Sequence, residues 1–366
     1  MITIDGFVNT AIIFADEIDS GSTGLIKALC NSPVSEGSKI RIMPDVHAGK
    51  GCVIGTTMTI TDKIAPGFVG VDIGCGITAV RFKPSKKFNL EKLDKFIHEK
   101  IPVGPKVRKD PHLLADELLL DNLHCAKHVQ MEKARRSIGT LGGGNHYIEI
   151  GKDSEGAHYL FIHSGSRGLG AEIAQWYQDT AYAQSPDGTP YELAYLTGDW
   201  KDYYLHDLQI ATHFAATNRM AIINDIVHEM KLDIESITTT VHNYVDQEFM
   251  VLRKGAISAK AYEEVFIPLN MRDGCLRCVG LGNLHWNCSA PHGAGRLMSR
   301  AEARNLLTLT QYKKEMEGIY SSTINRHTID ESPMAYKSMD AILDQIEKTV
   351  TVLDRIKPIY NFKSTK

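Results

Sequence analysis

His158-Tyr159-Leu160-Phe161-Ile162-His163-Ser164-Gly165-Ser166-Arg167-Gly168-Leu169 is the stretch on which the architecture turns. An aromatic and aliphatic run, strand-like through His163, meets a Gly/Ser turn and passes into a helical pattern over Leu169–Gln184. Upstream, a second strand-like run, His146–Ile150, opens on Gly142-Gly143-Gly144. Downstream, a further long helical pattern, His206–Lys231, precedes the return of strands at Ile237. Strands and helices therefore come in blocks rather than in strict alternation. That order predicts an α+β fold, with mixed or antiparallel sheets flanked by helices, rather than a doubly wound parallel sheet.

The first 85 residues are β-rich: Lys39–Met43, Gly51–Ile60 and Gly76–Phe82 are short aliphatic or β-branched runs bounded by Gly, Pro and Asp. Asn89–Ile101 has Leu90, Leu93, Phe96 and Ile97 at helical spacing, and Leu113–Arg136 is a more polar helical stretch. Further strands are expected at Ile237–Tyr244, Phe249–Lys254, Glu263–Leu269 and Leu276–Gly282. Ser299-Arg300-Ala301-Glu302 is a capping box that opens a helix to about Met316, and a last helix is expected over Asp340–Arg355. No repeat, low-complexity segment or polar linker divides the chain, so one domain is expected over residues 1–366.

Hydrophobic residues make up 43% of the chain and charged residues 23%, as in ordinary globular proteins. A formal net charge of −3 excludes a general basic coat, so a nucleic acid would have to be held by a local groove. Residues 1–19 carry acids and no Lys or Arg, the wrong flank for a signal peptide, and no apolar run is long enough to span a bilayer. The seven cysteines are odd in number and scattered, which favours free thiols or metal ligands and an intracellular setting over a disulfide framework.

Pro291-His292-Gly293-Ala294-Gly295-Arg296 places a histidine among small residues beside a cation, as a phosphate-handling nucleophile requires; a plain glycine loop is the alternative. Asp72 and Cys75 lie on a Gly turn, His146 opens a strand, His163 ends one, and His242 lies within a β run. Singly, each reads equally as a turn aspartate, a buried thiol or a structural histidine. Together Asp72, Cys75, His146, His163 and His242 offer N, S and O ligands enough for a two-metal site, leaving His292 as candidate nucleophile. A rival pattern, Cys275-Leu276-Arg277-Cys278 followed by His285 and Cys288, resembles a loose structural zinc site. Neither a P-loop nor a K-x-D-G ligase motif is present, so any nucleotidyl adduct must be carried by histidine.

Met43–His47, Val69–Gly76, Leu141–Glu149, His163–Gly168, His242-Asn243, Arg253–Ala256, His292–Arg300 and Lys357–Lys363 run in order through most of the chain. They resemble the successive signatures of the RtcB family of GTP- and manganese-dependent RNA ligases, in a short, divergent, bacterial-type form. The resemblance implies a cytoplasmic enzyme that joins RNA 2′,3′-cyclic phosphate or 3′-phosphate ends to 5′-hydroxyl ends, in RNA repair or tRNA splicing. It implies two Mn²⁺ ions and GTP, and admits an activating protein partner. His292 would form a histidine–guanylate, with Asp45 a further active-site acid. Cys75 would bridge the ions, Asp72 and His146 on one and His163 and His242 on the other. Guanylate would lie against Asn145, His146, Tyr147, Ile148, Glu149, His242, Asn243, Pro268, Leu269, Asn270, Met271, Cys275, His292, Gly293, Ala294, Gly295, Tyr336 and Lys363.

Two features depart from the family pattern. Pro268-Leu269-Asn270-Met271-Arg272 stands where many relatives have P-G-S-M-G, with Cys275 in place of a usual serine, and the segment between Ile101 and Leu141 is shorter. The altered loop motivates a second reading, a metal-dependent RNA-end phosphodiesterase or phosphatase without guanylylation. A third, a non-catalytic RNA-binding subunit, has no use for the retained ligand set and His292.

Overall fold

The computed structural model describes residues 1–84 and 88–364. Two large sheets dominate it. The first is six-stranded, in the order Ile2–Asp5, Thr10–Ile13, Ile40–His47, Ile54–Thr59, Val251–Lys254, Asn243–Asp246. Its pairs are antiparallel except that of Thr10–Ile13 with Ile40–His47. The second is seven-stranded and antiparallel throughout, in the order Asp233–Val241, Gly76–Lys83, His158–Ser164, Tyr147–Lys152, Val350–Lys363, Gly274–Gly280, Glu264–Asn270. The α+β expectation holds.

Strand alternation assigns the faces of the second sheet. Val80, Ile148, Ile150, Leu160 and Ile162 pack against Ile222, Ile223 and Ile226 of the helix Gly198–Met230. That helix has 33 residues, about 50 Å of axis. Tyr147, Phe161, Phe266, Cys275 and Ile356 make a second cluster on the opposite face. Against the first sheet, Ile13, Ile40, Ile42 and Leu252 join Ile26 and Leu29 of the helix Ser20–Asn31 in a larger core.

The chain crosses between the sheets at His242. Asp233–Val241 belongs to the seven-stranded sheet and Asn243–Asp246 to the six-stranded one. At the crossing, the His242 amide donates to the Cys75 carbonyl (2.9 Å) and the Gly74 amide to that of Asn243 (2.7 Å). Buried amides must be paired, so these bonds lock His242 beside Cys75.

Several expected elements differ. The last helix stops at Ile346, and Val350–Lys363 is a strand of 14 residues. It pairs with Tyr147–Lys152 on one edge and Gly274–Gly280 on the other. Two ladders and the β-branched Val350, Thr351 and Val352 outweigh the helical spacing. Leu113–Arg136 is mostly short 3₁₀ turns, with an α-helix only at Met131–Ser137. The capping box at Ser299 forms, but the helix ends at Leu306 and a second, Leu309–Glu315, starts from its own box at Thr308. Ser20–Asn31, rich in Gly, Ser and Thr, is a helix that its weak propensity concealed.

Candidate functional site

The turn before Gly76–Lys83 carries Asp72 and Cys75 around Gly74. Gly74 has φ +69°, and a Cβ there would lie 2.8 Å from the Cα of Thr212, so the turn can sit this close to the long helix only as glycine. Cys75 Sγ is 3.5 Å from His146 Nε2 and 3.3 Å from His163 Nε2. His146 Nε2 is 3.0 Å from Asp72 Oδ2, and His163 Nε2 is 3.5 Å from His242 Nε2. These side chains form two groups that share Cys75: Asp72, Cys75 and His146, and Cys75, His163 and His242, with ligand atoms within 4.8 Å in each. This is the grouping that the resemblance implies.

The surrounding bonds fix which nitrogen faces inward. His146 Nδ1 lies 2.9 Å from the Leu141 carbonyl and His163 Nδ1 3.3 Å from that of Asn145. With the Nδ1 atoms held at these carbonyls, both Nε2 atoms are directed at Cys75, the arrangement of metal-ligating imidazoles. Beneath them, fully buried Arg219 donates to the carbonyls of Gly74 (2.9 Å) and Ser164 (2.8 Å) and to Thr78 Oγ1 (3.0 Å). It fastens the Asp72–Cys75 turn to the end of the strand bearing His163. Asn218 accepts from the amides of Gly139 and Thr140, fixing the approach to His146.

Burial drives the electrostatics. It pushes the Cys75 thiol far above its ordinary value, and the Asp72 carboxylate adds to this. Burial, with His146 beside it, holds His163 well below its ordinary value; burial and His292 do the same to His242. Asp72 is held well below the carboxylate range: burial opposes this, but the charge and hydrogen bond of His146 outweigh it. Neutral imidazoles beside a thiol that ionises only when cationic charge is supplied suit a site built for cations.

His292 follows the short strand Ser289–Pro291, and its Nδ1 lies 2.6 Å from Asp45 Oδ2. Asp45 is fully buried on a bulge of Ile40–His47, where Met43 to Val46 stand opposite Gly55 alone. The His292 ring is 4.9 Å from that of His242, which brings the candidate nucleophile to the edge of the metal-ligand group. Gly255 (φ +60°) backs this ring, since a Cβ there would lie 3.3 Å from His292 Cε1 and 2.1 Å from Ile54 Cγ2.

A cleft of about 200 Å³ opens in front of His292. Asn145, Tyr147, Glu149, His242, Pro268, Leu269, Asn270, Met271, Gly293, Ala294, Gly295, Tyr336 and Lys363 line it. Lys363 Nζ is 2.8 Å from Glu331 Oε2, 3.1 Å from the Asn145 carbonyl and 4.8 Å from the Tyr147 ring centre. Lys363 and Arg300 hold the Glu331 carboxyl low, at about 2, against the opposing effect of burial. Burial pushes Glu149 up to about 8, although a 2.6 Å hydrogen bond from Asn361 pulls the other way.

Four further residues that the resemblance sets against guanylate do not line this cleft. Ile148 points through the sheet into the opposite core, and Cys275 packs with Tyr147 and Phe266. His146 turns to Cys75, while Asn243 donates to the Asp72 carbonyl and lines an adjacent cavity. The cleft also takes in His47, Arg296, Arg300, Glu331 and Asn361. The first three and Asn361, which lies within Lys357–Lys363, stand inside motifs already singled out, whereas Glu331 has no local signal. The CxxC pair does not make a zinc site. Cys275 and Cys278 are three residues apart on one strand, so they face opposite sides of the sheet, in different clusters.

The family described as tRNA-splicing ligase RtcB matches this chain over residues 33–123 and 116–364. The RNA-splicing ligase RtcB of Escherichia coli K12 is 32% identical over 366 aligned positions, which cover 87% of this chain and 88% of that protein. The RNA-splicing ligase RtcB2 of another Escherichia coli strain is 28% identical, covering 88% and 87%. The tRNA-splicing ligase RtcB of Aeropyrum pernix is 28% identical, covering 87% and 86%.

Proposed function

This chain belongs to the RtcB family of RNA ligases, and from that premise we propose that it joins RNA 3′-phosphate or 2′,3′-cyclic phosphate ends to 5′-hydroxyl ends, using GTP and two manganese ions. The observation that carries the reading is the contact between His292 Nδ1 and Asp45 Oδ2 at 2.6 Å. With Nδ1–H donated to Asp45, the Nε2 lone pair is free to attack. Nε2 bonds to the α-phosphorus of GTP, the bond to the bridging oxygen breaks, and pyrophosphate leaves. The Nδ1 proton stays shared with Asp45, whose carboxylate offsets the positive charge on the phosphorylated ring.

A cyclic end is first opened by water. The RNA 3′-phosphate then takes the guanylate from His292, and the 5′-hydroxyl displaces GMP to close the phosphodiester. Asp72, Cys75, His146, His163 and His242 would hold the cations, which neutralise phosphate charge and align the attacking and leaving oxygens. Tyr147, Glu149, Tyr336 and Lys363 are suited to hold the guanine through its face and edge. All the cysteines are free thiols, which supports work in a reducing compartment such as the cytoplasm.

Labelled GTP with Mn²⁺ tests the reading. The wild-type chain should take up an acid-labile guanylate. His292→Ala should take up none, yet still join RNA supplied with a guanylate-capped 3′ end. Failure on that activated RNA would give His292 another task.

A further inference from the structure

Away from the cleft, a row of rings crosses the surface over the helices Arg167–Gln184 and Gly198–Met230. His128 stacks on Trp176 with ring centres 5.0 Å apart, Trp176 meets Trp200 at 5.7 Å, and Trp200 meets Tyr203 at 5.8 Å. Tyr203 stacks on His124 at 4.2 Å, and His124 meets His206 at 4.9 Å. Trp200 is 36% exposed, Tyr203 38%, and the His206 side chain 44%. Trp176 also packs against the core, whereas Trp200, Tyr203 and His206 keep ring surface open to solvent along one contiguous row.

The row stands on a built frame. Buried Asp207 accepts from the His124 amide (2.9 Å) and His206 Nδ1 (3.1 Å) on one oxygen, and from the Cys125 amide (3.0 Å) and Tyr177 hydroxyl (2.8 Å) on the other. His124, His206 and Asp207 therefore cluster without offering a free carboxylate lone pair to a metal.

One end of the row leads to the metal-ligand group. Gln130 donates through its amide and Nε2 to Glu172, one helical turn before Trp176. Gln130 and Glu172 line a cavity with Lys106, Lys133 and Arg167, and Arg167 Nη1 lies 3.5 Å from His146 Nδ1. The cavity thus stands between Glu172, one helical turn before Trp176, and Arg167, which approaches His146.

We propose that this row is a track for single-stranded RNA, on which bases of the substrate stack several nucleotides from the joint. The inference rests on RNA being the substrate of the cleft at His292. Aromatic faces accept any base, as an enzyme that reads ends rather than sequence requires, and Lys106 and Lys133 supply cations for the backbone between. The chain's net charge of −3 leaves such a local track as the means of holding RNA.

The test compares Trp200→Ala/Tyr203→Ala with Trp200→Phe/Tyr203→Phe, using a fluorescent single-stranded RNA of about 20 nucleotides as probe. The alanine pair should bind it roughly ten- to a hundredfold more weakly, and the phenylalanine pair like wild type. Both should keep wild-type guanylate formation and unfolding temperature. In joining, the alanine pair should raise KM for long RNAs at unchanged kcat and leave ends of a few nucleotides unaffected. Equal RNA affinity in all three proteins overturns the proposal. So does a dimer that falls apart in the alanine pair at unchanged RNA affinity, which assigns the rings to a contact between copies. If wild type forms no guanylate adduct but binds RNA through these rings, the cleft reading fails and the track stands.

Discussion

At the residue scale the decisive pair is Asp45 and His292, 247 positions apart in sequence and 2.6 Å apart in space. Asp45 can orient the ring and neutralise it once phosphorylated, and only a carboxylate does both. Asp45→Asn keeps the shape and removes the charge. It should slow guanylate formation by about 10²–10⁴-fold, the range for losing an acid–base partner or a triad carboxylate. Single-turnover labelling with GTP checks this, alongside the metal content of the same protein. A parallel loss of metal would make Asp45 a support of the ligand group instead.

At the element scale the hairpin joining Glu264–Asn270 to Gly274–Gly280 carries the departure from the family pattern. It is well built. Asn270 Oδ1 accepts from the amides of Arg272 (3.0 Å) and Asp273 (2.9 Å), and Tyr312 donates to Met271 Sδ (3.0 Å). Leu269 is buried in the core under the cleft. Arg272 is half-exposed and paired with Asp273 and Glu315, so its guanidinium is occupied rather than waiting for an RNA phosphate. Leu269→Ala should cost about 2–5 kcal/mol in urea unfolding. Arg272→Ala should cost less than about 1 kcal/mol and leave the joining step unchanged. A slowed joining step in Arg272→Ala would instead assign that residue a contact with the RNA.

At the scale of the whole molecule, the ligand group lies where the chain passes between the two sheets. Its side chains come from the turn before Gly76–Lys83, the start of Tyr147–Lys152, the end of His158–Ser164 and the crossing at His242. Cations bound there tie these elements together, so binding should stabilise the fold. At a hundredfold excess over the dissociation constant the gain is about 2.7 kcal/mol per site. Mn²⁺ should therefore raise the unfolding temperature of the wild-type chain. Cys75→Ala, which removes the residue common to both groups, should fold yet show neither the rise nor bound metal by elemental analysis. Retained metal would reduce Cys75 to a packing thiol.

Local pattern determined much of this protein. The block order of strand and helix signals set the α+β class. The residue types at Asp72, Cys75, His146, His163 and His292, on glycine turns or at strand ends, were legible because strand ends and turns are written in neighbouring residues, whereas His242 read only as part of a β run. Strand alternation likewise put Tyr147 and Glu149 on one face, and it separates Cys275 from Cys278. Tertiary structure decided the rest. Val350–Lys363 is a strand because two neighbours supply ladders that no periodicity inside the segment reveals. Glu331 reaches the cleft from a segment without a motif, held by Lys363, and Asn361, although inside Lys357–Lys363, is turned to the cleft by its bond to Glu149. The row of rings from His128 to His206 exists only because two helices and a 3₁₀ turn are packed side by side, since ring-to-ring distance is a property of the fold and not of spacing along the chain.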